Sequence, residues 1–158
     1  MRIEFREISH EIFNDFIELE VKPDQKNNFY FKSTKPNVMT LAQAYIHREE
    51  TVVSAIFADD MLVGSIFYCP SSAPIDHGRE AWLTRLMIDQ RYQGKGYGRA
   101  AMELLFQKVL EHHKGEPTRL GLSYELHNTT AENLYASLGF RASGDMLGDQ
   151  VVLWKDLQ

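Results

Sequence analysis

A short turn with a glycine at every second position constrains this chain more than any other feature. The glycines are Gly94, Gly96 and Gly98. An apolar, strand-like run from Trp82 to Ile88 precedes them, and apolar residues at helical spacing follow from Ala100 to Leu110. The first N–H groups of a helix have no partner within it, and glycines let a phosphate approach the backbone closely. The stretch therefore predicts an anion site at the end of a strand.

Two common phosphate-binding loops do not fit this turn. A P-loop needs a Lys followed by Ser or Thr after its second glycine, whereas Lys95 lies between two glycines. A dinucleotide fingerprint needs the spacing G-x-G-x-x-G, whereas this chain has G-x-G-x-G. A nucleotide-binding protein of either kind is therefore not predicted.

The composition limits the class of protein. A chain of 158 residues is most simply one domain, 1–158, and a chain of this size buries roughly 70% of the surface that it exposes when unfolded. The net charge of −5, without a dense Lys/Arg run, disfavours nucleic-acid binding, which needs a clustered basic face. Cys69 is the single cysteine, and no Cys/His spacing predicts a metal site.

The sequence also predicts where in the cell the protein acts. The first seven residues carry charges where a signal peptide needs an apolar core. No apolar run approaches the roughly 18 residues of a membrane-spanning helix. A cytoplasmic protein without a membrane segment is predicted.

Alternation, periodicity and turn residues predict the remaining elements. The expected strands cover about 3–8, 52–58, 61–68, 81–88 and 119–124, a short strand from Phe140, and 150–154; the expected helices cover about 12–19, 41–48, 100–110 and 131–138. The order β-α-α-β-β-β-α-β-α-β-β predicts an α/β (α+β) chain, a mixed sheet of about six to seven strands with helices on both faces.

Local signals give the ends of these elements. Ser9, Thr40, and either Thr129 or Thr130 are predicted to cap the helices that follow them. Residues 25–37 are polar and predict a loop, with room for one short helix. The strand, helix and strand from 82 to 124 predict a parallel pair of strands, and ligands bind beyond the carboxyl ends of such strands. The glycine turn lies at that edge.

Two motifs together resemble the GNAT acetyltransferase family. The run from Arg91 to Gly96 fits the pattern Arg/Gln-x-x-Gly-x-Gly/Ala of that family's coenzyme A pyrophosphate turn. The run from Asn128 to Phe140 is similar at every defined position to its second motif, N-x-x-A-x-x-L-Y-x-x-x-G-F. The resemblance covers about residues 50–157 and implies the GNAT fold, acetyl-CoA as cofactor, and acetyl transfer to a small-molecule amine.

A narrower resemblance, to the bacterial spermine/spermidine (diamine) acetyltransferase branch, covers almost the whole chain. It is carried by residues 19–25, 40–45, 85–98 and 122–125, and it implies a polyamine acceptor. Residues 27–37 depart from that branch beside the expected acceptor site, so an amino acid, an amine antibiotic or a protein amine remains an alternative. So does a non-catalytic acetyl-CoA-binding regulatory module, because fold alone does not fix function. The family allows a homodimer, although no residue pattern identifies an interface.

The resemblance implies the cofactor contacts. Backbone N–H groups of the turn would hold the pyrophosphate, and the strand before it would bond the pantetheine arm as an added strand does. The side chains of Lys95 and Arg99 would either add phosphate contacts or remain solvated. The full expected set is Met87, Ile88, Gln93, Gly94, Lys95, Gly96, Tyr97, Gly98, Arg99, Asn128, Asn133 and Tyr135.

Acyl transfer from a thioester to an amine needs a neutral amine, a stabilised oxyanion and a proton for the departing sulfur. By resemblance Tyr135 is the general acid; the alternative is an aromatic residue of the core. Alkylamines have a pKa of about 10.4, so a carboxylate is expected to accept their proton, directly or through water. Glu125 at a strand end is the first candidate and Glu80 the second, although either could be a solvated strand-end carboxylate. His127 is a further candidate base.

Acidic residues near the N-terminus are candidates for binding a polyamine. Glu18, Glu20 and Asp24 could pair with its cationic ends or simply face water. Cys69 lies outside both motifs. Direct transfer in a ternary complex, without an acetyl-enzyme, is therefore predicted.

Overall fold

The structure is a computed structural model that describes residues 1–28, 35–74 and 79–158. The strands of this part of the chain are β1 (Ile3–Arg6), β2 (Val52–Ala58), β3 (Met61–Cys69), β4 (Glu80–Ile88), β5 (Thr118–Glu125), β6 (Arg141–Leu147) and β7 (Gln150–Leu157). Its helices are α1 (Phe13–Glu18), a 3₁₀ helix (Pro23–Asn28), α2 (Pro36–Ile46), α3 (Tyr97–His112) and α4 (Thr129–Ser137). None of the helices described is long and apolar enough to cross a membrane.

The strands form one mixed sheet of seven, in the order β1-β2-β3-β4-β5-β7-β6. β4 and β5 are parallel, and the other neighbouring pairs are antiparallel. The predicted order of strands and α-helices is confirmed, and the structure adds the 3₁₀ helix.

Helices cover both faces of the sheet, as predicted. Successive residues of a strand point to opposite faces. Along β2, Ile56 and Ala58 pack in the cluster that contains the buried residues of α3 and α4. Ala55 and Phe57 pack in a second cluster with Phe16 of α1. The sheet therefore lies between two apolar layers.

The predicted starts of the first two α-helices are wrong. α1 begins at Phe13, and the residue before it is Ile12 rather than the predicted cap Ser9. α2 begins at Pro36, so Thr40 lies inside the helix, where its Oγ1 donates to the Pro36 carbonyl at 3.1 Å. A proline suits the first turn of a helix, because that turn does not use its N–H groups. The predicted loop 25–37 thus begins in a 3₁₀ helix and ends in α2, and residues 29–34 lie outside the described residues.

The parallel strands β4 and β5 separate halfway along their length. They pair as far as Leu83 and Leu122, while β4 continues to Ile88 and β5 to Glu125. The register of β4 with β3 shifts at the same point and leaves Thr84 as an extra residue. A bulge bends its strand and increases the local twist, so β4 turns away from β5 and a gap opens.

Candidate active site

A groove of about 800 Å³ occupies the gap between β4 and β5. Both predicted motifs contribute to its wall, as the parallel arrangement of the strands predicts. The wall is built from β4 residues 82–88, the glycine turn and the start of α3, the end of β5, part of α4, Gln150 of β7, and four residues of the opposite side, Val21, Lys22, Gln25 and Gln43.

The glycine turn has the geometry of an anion site. Gly94 and Gly96 have φ values of +77° and +84°, in the left-handed region that favours glycine. A Cβ at either position would meet nothing within 4 Å apart from its neighbours in the chain, so the space beside the turn is open. α3 begins immediately after Gly96, and its first residues line the groove. Open space, glycines and the positive end of a helix fit the pyrophosphate that the resemblance implies.

At the end of β4, backbone groups rather than side chains are available to a ligand in the groove. Met87 lines the groove, although its residue is only 1% exposed and its side chain packs with the α1 cluster. The side-chain amide of Gln93 donates to the Ile88 carbonyl at 2.9 Å and fixes the strand end to the turn. A strand edge beside an open gap fits the amide groups of a pantetheine arm, which would bind as an added strand.

Tyr135 lies in the wall that α4 contributes. Its residue is 8% exposed, and its ring lies 5.7 Å from that of Phe140 and 6.5 Å from that of Tyr124, between centroids. Burial raises the pKa of Tyr135 to about 12. The groove therefore contains a phenol that stays protonated throughout the neutral range.

We expect the raised pKa of Tyr135 to make the stability of the protein without ligand depend on pH in the alkaline range. Its pKa rises from 10.0 to about 12 on folding, so the folded state keeps a proton that the unfolded state loses. Stability from this group is complete below pH 10 and is lost as the pH rises toward 12; a difference of two pKa units amounts to about 3 kcal/mol. Urea unfolding at several alkaline pH values would measure it, and Tyr135→Phe should lose less stability over that range. Equal losses in both proteins would contradict the raised pKa.

The end of β5 brings polar groups to the groove. The Glu125 side chain is 28% exposed, and its Oε2 lies 3.3 Å from Nε2 of His127. Ser123 donates to Oε1 of Gln150 on β7 at 2.6 Å, and both residues line the groove. Of the three candidate bases, Glu125, Glu80 and His127, Glu125 is the one on the groove wall.

Some predicted site residues lie away from the groove. Glu80 begins β4, at the opposite end from the glycine turn; it is 2% exposed, and its Oε1 lies 3.6 Å from the Arg119 guanidinium. The ammonium of Lys95 lies over the ring of Tyr92, 5.6 Å from its centroid, and Asn133 is exposed on α4. The structure does not bring these three predicted residues to the groove wall.

The predicted substrate-binding carboxylates do not line the groove. Glu18 pairs with Lys35, and Oε2 of Glu20 lies 3.9 Å from the ammonium of Lys26. Asp24 is exposed on the 3₁₀ helix. In this part of the chain, the residues that line the groove are Val21, Lys22 and Gln25.

The groove also contains residues that the sequence analysis did not single out. Arg85 of β4 lines it and donates to Thr40 Oγ1 and, at 3.4 Å, to Gln43 Oε1 on α2. Burial lowers the pKa of Arg85 from its ordinary value. The signal that could have identified it is a single charge within the apolar run of β4. Arg99 of α3, by contrast, is one of the predicted cofactor contacts; it lines the groove and donates to Ser137 of α4.

Comparison with known proteins agrees with the family resemblance of the two motifs. The sequence model of the Acetyltransferase (GNAT) family matches residues 10–140. A spermine/spermidine N(1)-acetyltransferase of Bacillus subtilis is 29% identical over 139 residues, which cover 85% of this chain and 88% of that protein. Among solved structures, an acetyltransferase from Thermus thermophilus superposes with a TM-score of 0.76 at 19% identity, over 99% of this chain and 98% of that one. The PaiA N-acetyltransferase from Thermoplasma acidophilum, in complex with coenzyme A, has a TM-score of 0.64 at 20% identity, over 98% and 99% of the two chains.

Proposed function

The chain belongs to the GNAT acetyltransferase family, and from that membership we propose that it transfers an acetyl group directly from acetyl-CoA to a primary amine in the groove. The observation that carries the proposal is the gap between β4 and β5. It has the open glycine turn at one end, a protonated Tyr135 in its wall and a carboxylate, Glu125, at the end of β5.

Acetyl-CoA, the cofactor of this family, supplies an activated acetyl group as a thioester. The backbone of residues 93–99 would hold its pyrophosphate, and that of Met87 and Ile88 its pantetheine arm. Asn128 accepts a hydrogen bond from the Ala131 N–H at 3.1 Å and caps α4 in place of Thr129 or Thr130, which leaves its amide N–H groups for the cofactor. The position of Arg99 on the groove wall supports a phosphate contact, whereas that of Lys95 supports a solvated cation.

Two residues of the groove, Glu125 and Tyr135, would carry out the two proton transfers of the reaction. Glu125 would take a proton from the amine, directly or through water, as the amine nitrogen bonds to the acetyl carbon. Tyr135 would give its phenolic proton to the sulfur as the carbon–sulfur bond breaks. Burial raises the pKa of the Cys69 thiol above its ordinary value, which disfavours the thiolate that a covalent acetyl-enzyme would need.

We propose a polyamine such as spermidine or spermine as the acceptor. The name of the Bacillus subtilis relative supports this acceptor, and the carboxylate of Glu125 supplies a group that pairs with a cationic amine. The carboxylates Glu18, Glu20 and Asp24 would then contact the part of a long acceptor that extends outside the groove.

A second acceptor class is favoured by the cations of the groove wall. Lys22 and Arg85 both line the side opposite α4. Two cations attract an acidic group and repel a further amine. An amine that also carries a carboxylate, such as an amino acid, is therefore the second candidate.

The deciding experiment is free-thiol release from acetyl-CoA by the purified protein with a panel of amines. The panel holds spermidine, spermine, putrescine, single amino acids, an aminoglycoside and a lysine peptide. Saturable release with the polyamines alone is the expected result. Release with amino acids alone would replace the polyamine by the second class. Failure to bind acetyl-CoA in a calorimetric titration would overturn the function itself, whereas binding without release for any amine would favour a regulatory module.

We further propose that the protein acts in the cytoplasm as a homodimer. The GNAT family allows a homodimer. Light scattering of the purified protein tests the dimer, and a monomer at micromolar concentration would contradict it.

A further inference from the structure

The segment that follows α1 is hydrogen-bonded to the end of β4. The carboxylate of Asp89, directly after β4, is on a residue only 2% exposed, and its Oδ2 accepts from the Glu20 N–H at 2.9 Å. The next N–H, of Gln90, donates to the Glu20 carbonyl at 2.7 Å. Glu20 is therefore fixed to β4 by both of its backbone groups.

Asp89 is ionised in this position. Burial opposes its charge, but hydrogen bonds from the Arg91 side chain at 2.7 Å and from the backbone N–H groups of Glu20 and Arg91 lower its pKa below the ordinary value. Hydrogen bonds to an ionised group are stronger than neutral ones. These hydrogen bonds therefore hold the segment after α1 in a fixed position against the end of β4.

A second connection runs from the glycine turn itself. The side-chain amide of Gln93 donates to Oε1 of Gln25 at 2.8 Å, as well as to the Ile88 carbonyl. The same oxygen of Gln25 accepts from the Lys22 N–H at 3.2 Å. One side-chain oxygen thus joins the turn to the 3₁₀ helix and to the residues before it.

The segment bonded in this way forms part of the groove wall. Val21, Lys22 and Gln25 line the groove on the side opposite α4, where we expect an acceptor to approach. Val21 and Leu19 pack in the same apolar cluster as Met87. The position of this wall therefore depends on the position of the turn.

We propose that Gln25 is a positioning residue that couples the cofactor turn to the acceptor wall. The inference rests on the proposed function, since the coupled ligands are acetyl-CoA and the amine. Pyrophosphate at the turn fixes Gln93, Gln93 fixes Gln25, and Gln25 fixes Val21 and Lys22 against the acceptor. Coupling of two binding sites is reciprocal, so bound acetyl-CoA strengthens acceptor binding and the acceptor strengthens acetyl-CoA binding.

Hydrogen exchange with and without acetyl-CoA tests this coupling independently of the acceptor. In the unmodified protein we expect acetyl-CoA to slow exchange both in residues 91–99 and in residues 19–28. In Gln25→Ala it should still slow residues 91–99, but its effect on 19–28 should be largely lost. Gln25→Glu keeps an oxygen that accepts from both donors and should restore the effect.

A matched control separates coupling from loss of a polar wall residue. Gln43 lines the same side of the groove and contacts Arg85 rather than the turn. Gln43→Ala should leave the response of residues 19–28 unchanged. With the acceptor found in the panel, the KM for the amine should rise about fivefold to tenfold in Gln25→Ala, the effect of one lost hydrogen bond, while the affinity for acetyl-CoA alone changes by less than about twofold.

The outcomes are distinct. Slowed exchange at the turn alone in the unmodified protein would overturn the coupling and leave the proposed function standing. An unaltered response of residues 19–28 in Gln25→Ala would also overturn it. No slowing in either segment would mean that acetyl-CoA does not bind, which would overturn both proposals.

Discussion

Replacing Tyr135 with phenylalanine is expected to lower kcat by about 10²-fold to 10³-fold, the usual loss when a general acid is removed. The expected cause is the loss of the proton for the departing sulfur. The ring would keep its packing between Tyr124 and Phe140, so folding and acetyl-CoA affinity should change little. An interaction made only in the transition state lowers kcat and kcat/KM equally, and steady-state kinetics with the acceptor from the panel would measure both.

Tyr124→Phe is the matched control for that experiment. Tyr124 lines the same groove and is also a tyrosine, but it lies on β5, outside the second motif. Removing its hydroxyl should have a much smaller effect on kcat. Full turnover by Tyr135→Phe would exclude the general-acid role. Equal losses in the two variants would point to the polarity of the groove rather than to proton transfer from Tyr135.

The groove itself could be predicted from the sequence, because it follows from local patterns and one rule of topology. An apolar run, a glycine turn and an amphipathic helix place an anion site at the carboxyl end of β4. A second strand before Asn128 places the second motif at the same edge. Parallel pairing of β4 with β5 then brings the motifs together, and the structure confirms that pairing.

The direction of β4 separates Glu80 from the glycine turn. Glu80 and the glycine turn lie at opposite ends of β4, and eight residue steps along a strand span about 26 Å. Strand direction alone therefore puts Glu80 far from the turn, while Glu125 ends β5 at the same edge as the turn. The carboxylate that the structure brings to the groove is the one that follows the strand direction.

Other parts of the site could not be predicted, because they depend on contacts between distant residues. Nothing in the local pattern of β4 indicates that Arg85 reaches α2, since periodicity gives the face of a strand and not the partner of a long side chain. The hydrogen bond between Gln93 and Gln25 joins residues 68 positions apart. The start of α2 at Pro36 differs from the predicted start for a local reason, since proline is typical of loops but also suits a first helical turn.

Gly64→Ala is expected to have the largest effect on folding, because a side chain at this position of β3 would collide with the backbone of β4. Gly64 pairs with Ile88, and a Cβ at position 64 would lie 2.2 Å from the Met87 carbonyl oxygen. A backbone atom cannot rotate away as the end of a side chain can, so the strands would have to separate. We expect the free energy of unfolding to fall by about 3 kcal/mol, at the upper end for overpacking of a core.

The same substitution connects packing with cofactor binding. The Met87 carbonyl that the new methyl group would displace faces β3. Separating β3 from β4 would also move the opposite edge of β4, which is proposed to bind pantetheine, so acetyl-CoA affinity should fall as well. Gly98→Ala is the control for stability, since its Cβ would meet Leu134 and Ile88 at 3.7 and 3.8 Å, ordinary contact distances, at the start of α3. An alanine there should leave stability unchanged or raise it by up to about 1 kcal/mol.

Urea unfolding of both variants and calorimetric titration of Gly64→Ala with acetyl-CoA provide the measurements. Unchanged stability in Gly64→Ala would mean that β3 and β4 can accommodate a methyl group at position 64. The backbone of β4 beside the groove would then be able to shift without a cost in stability.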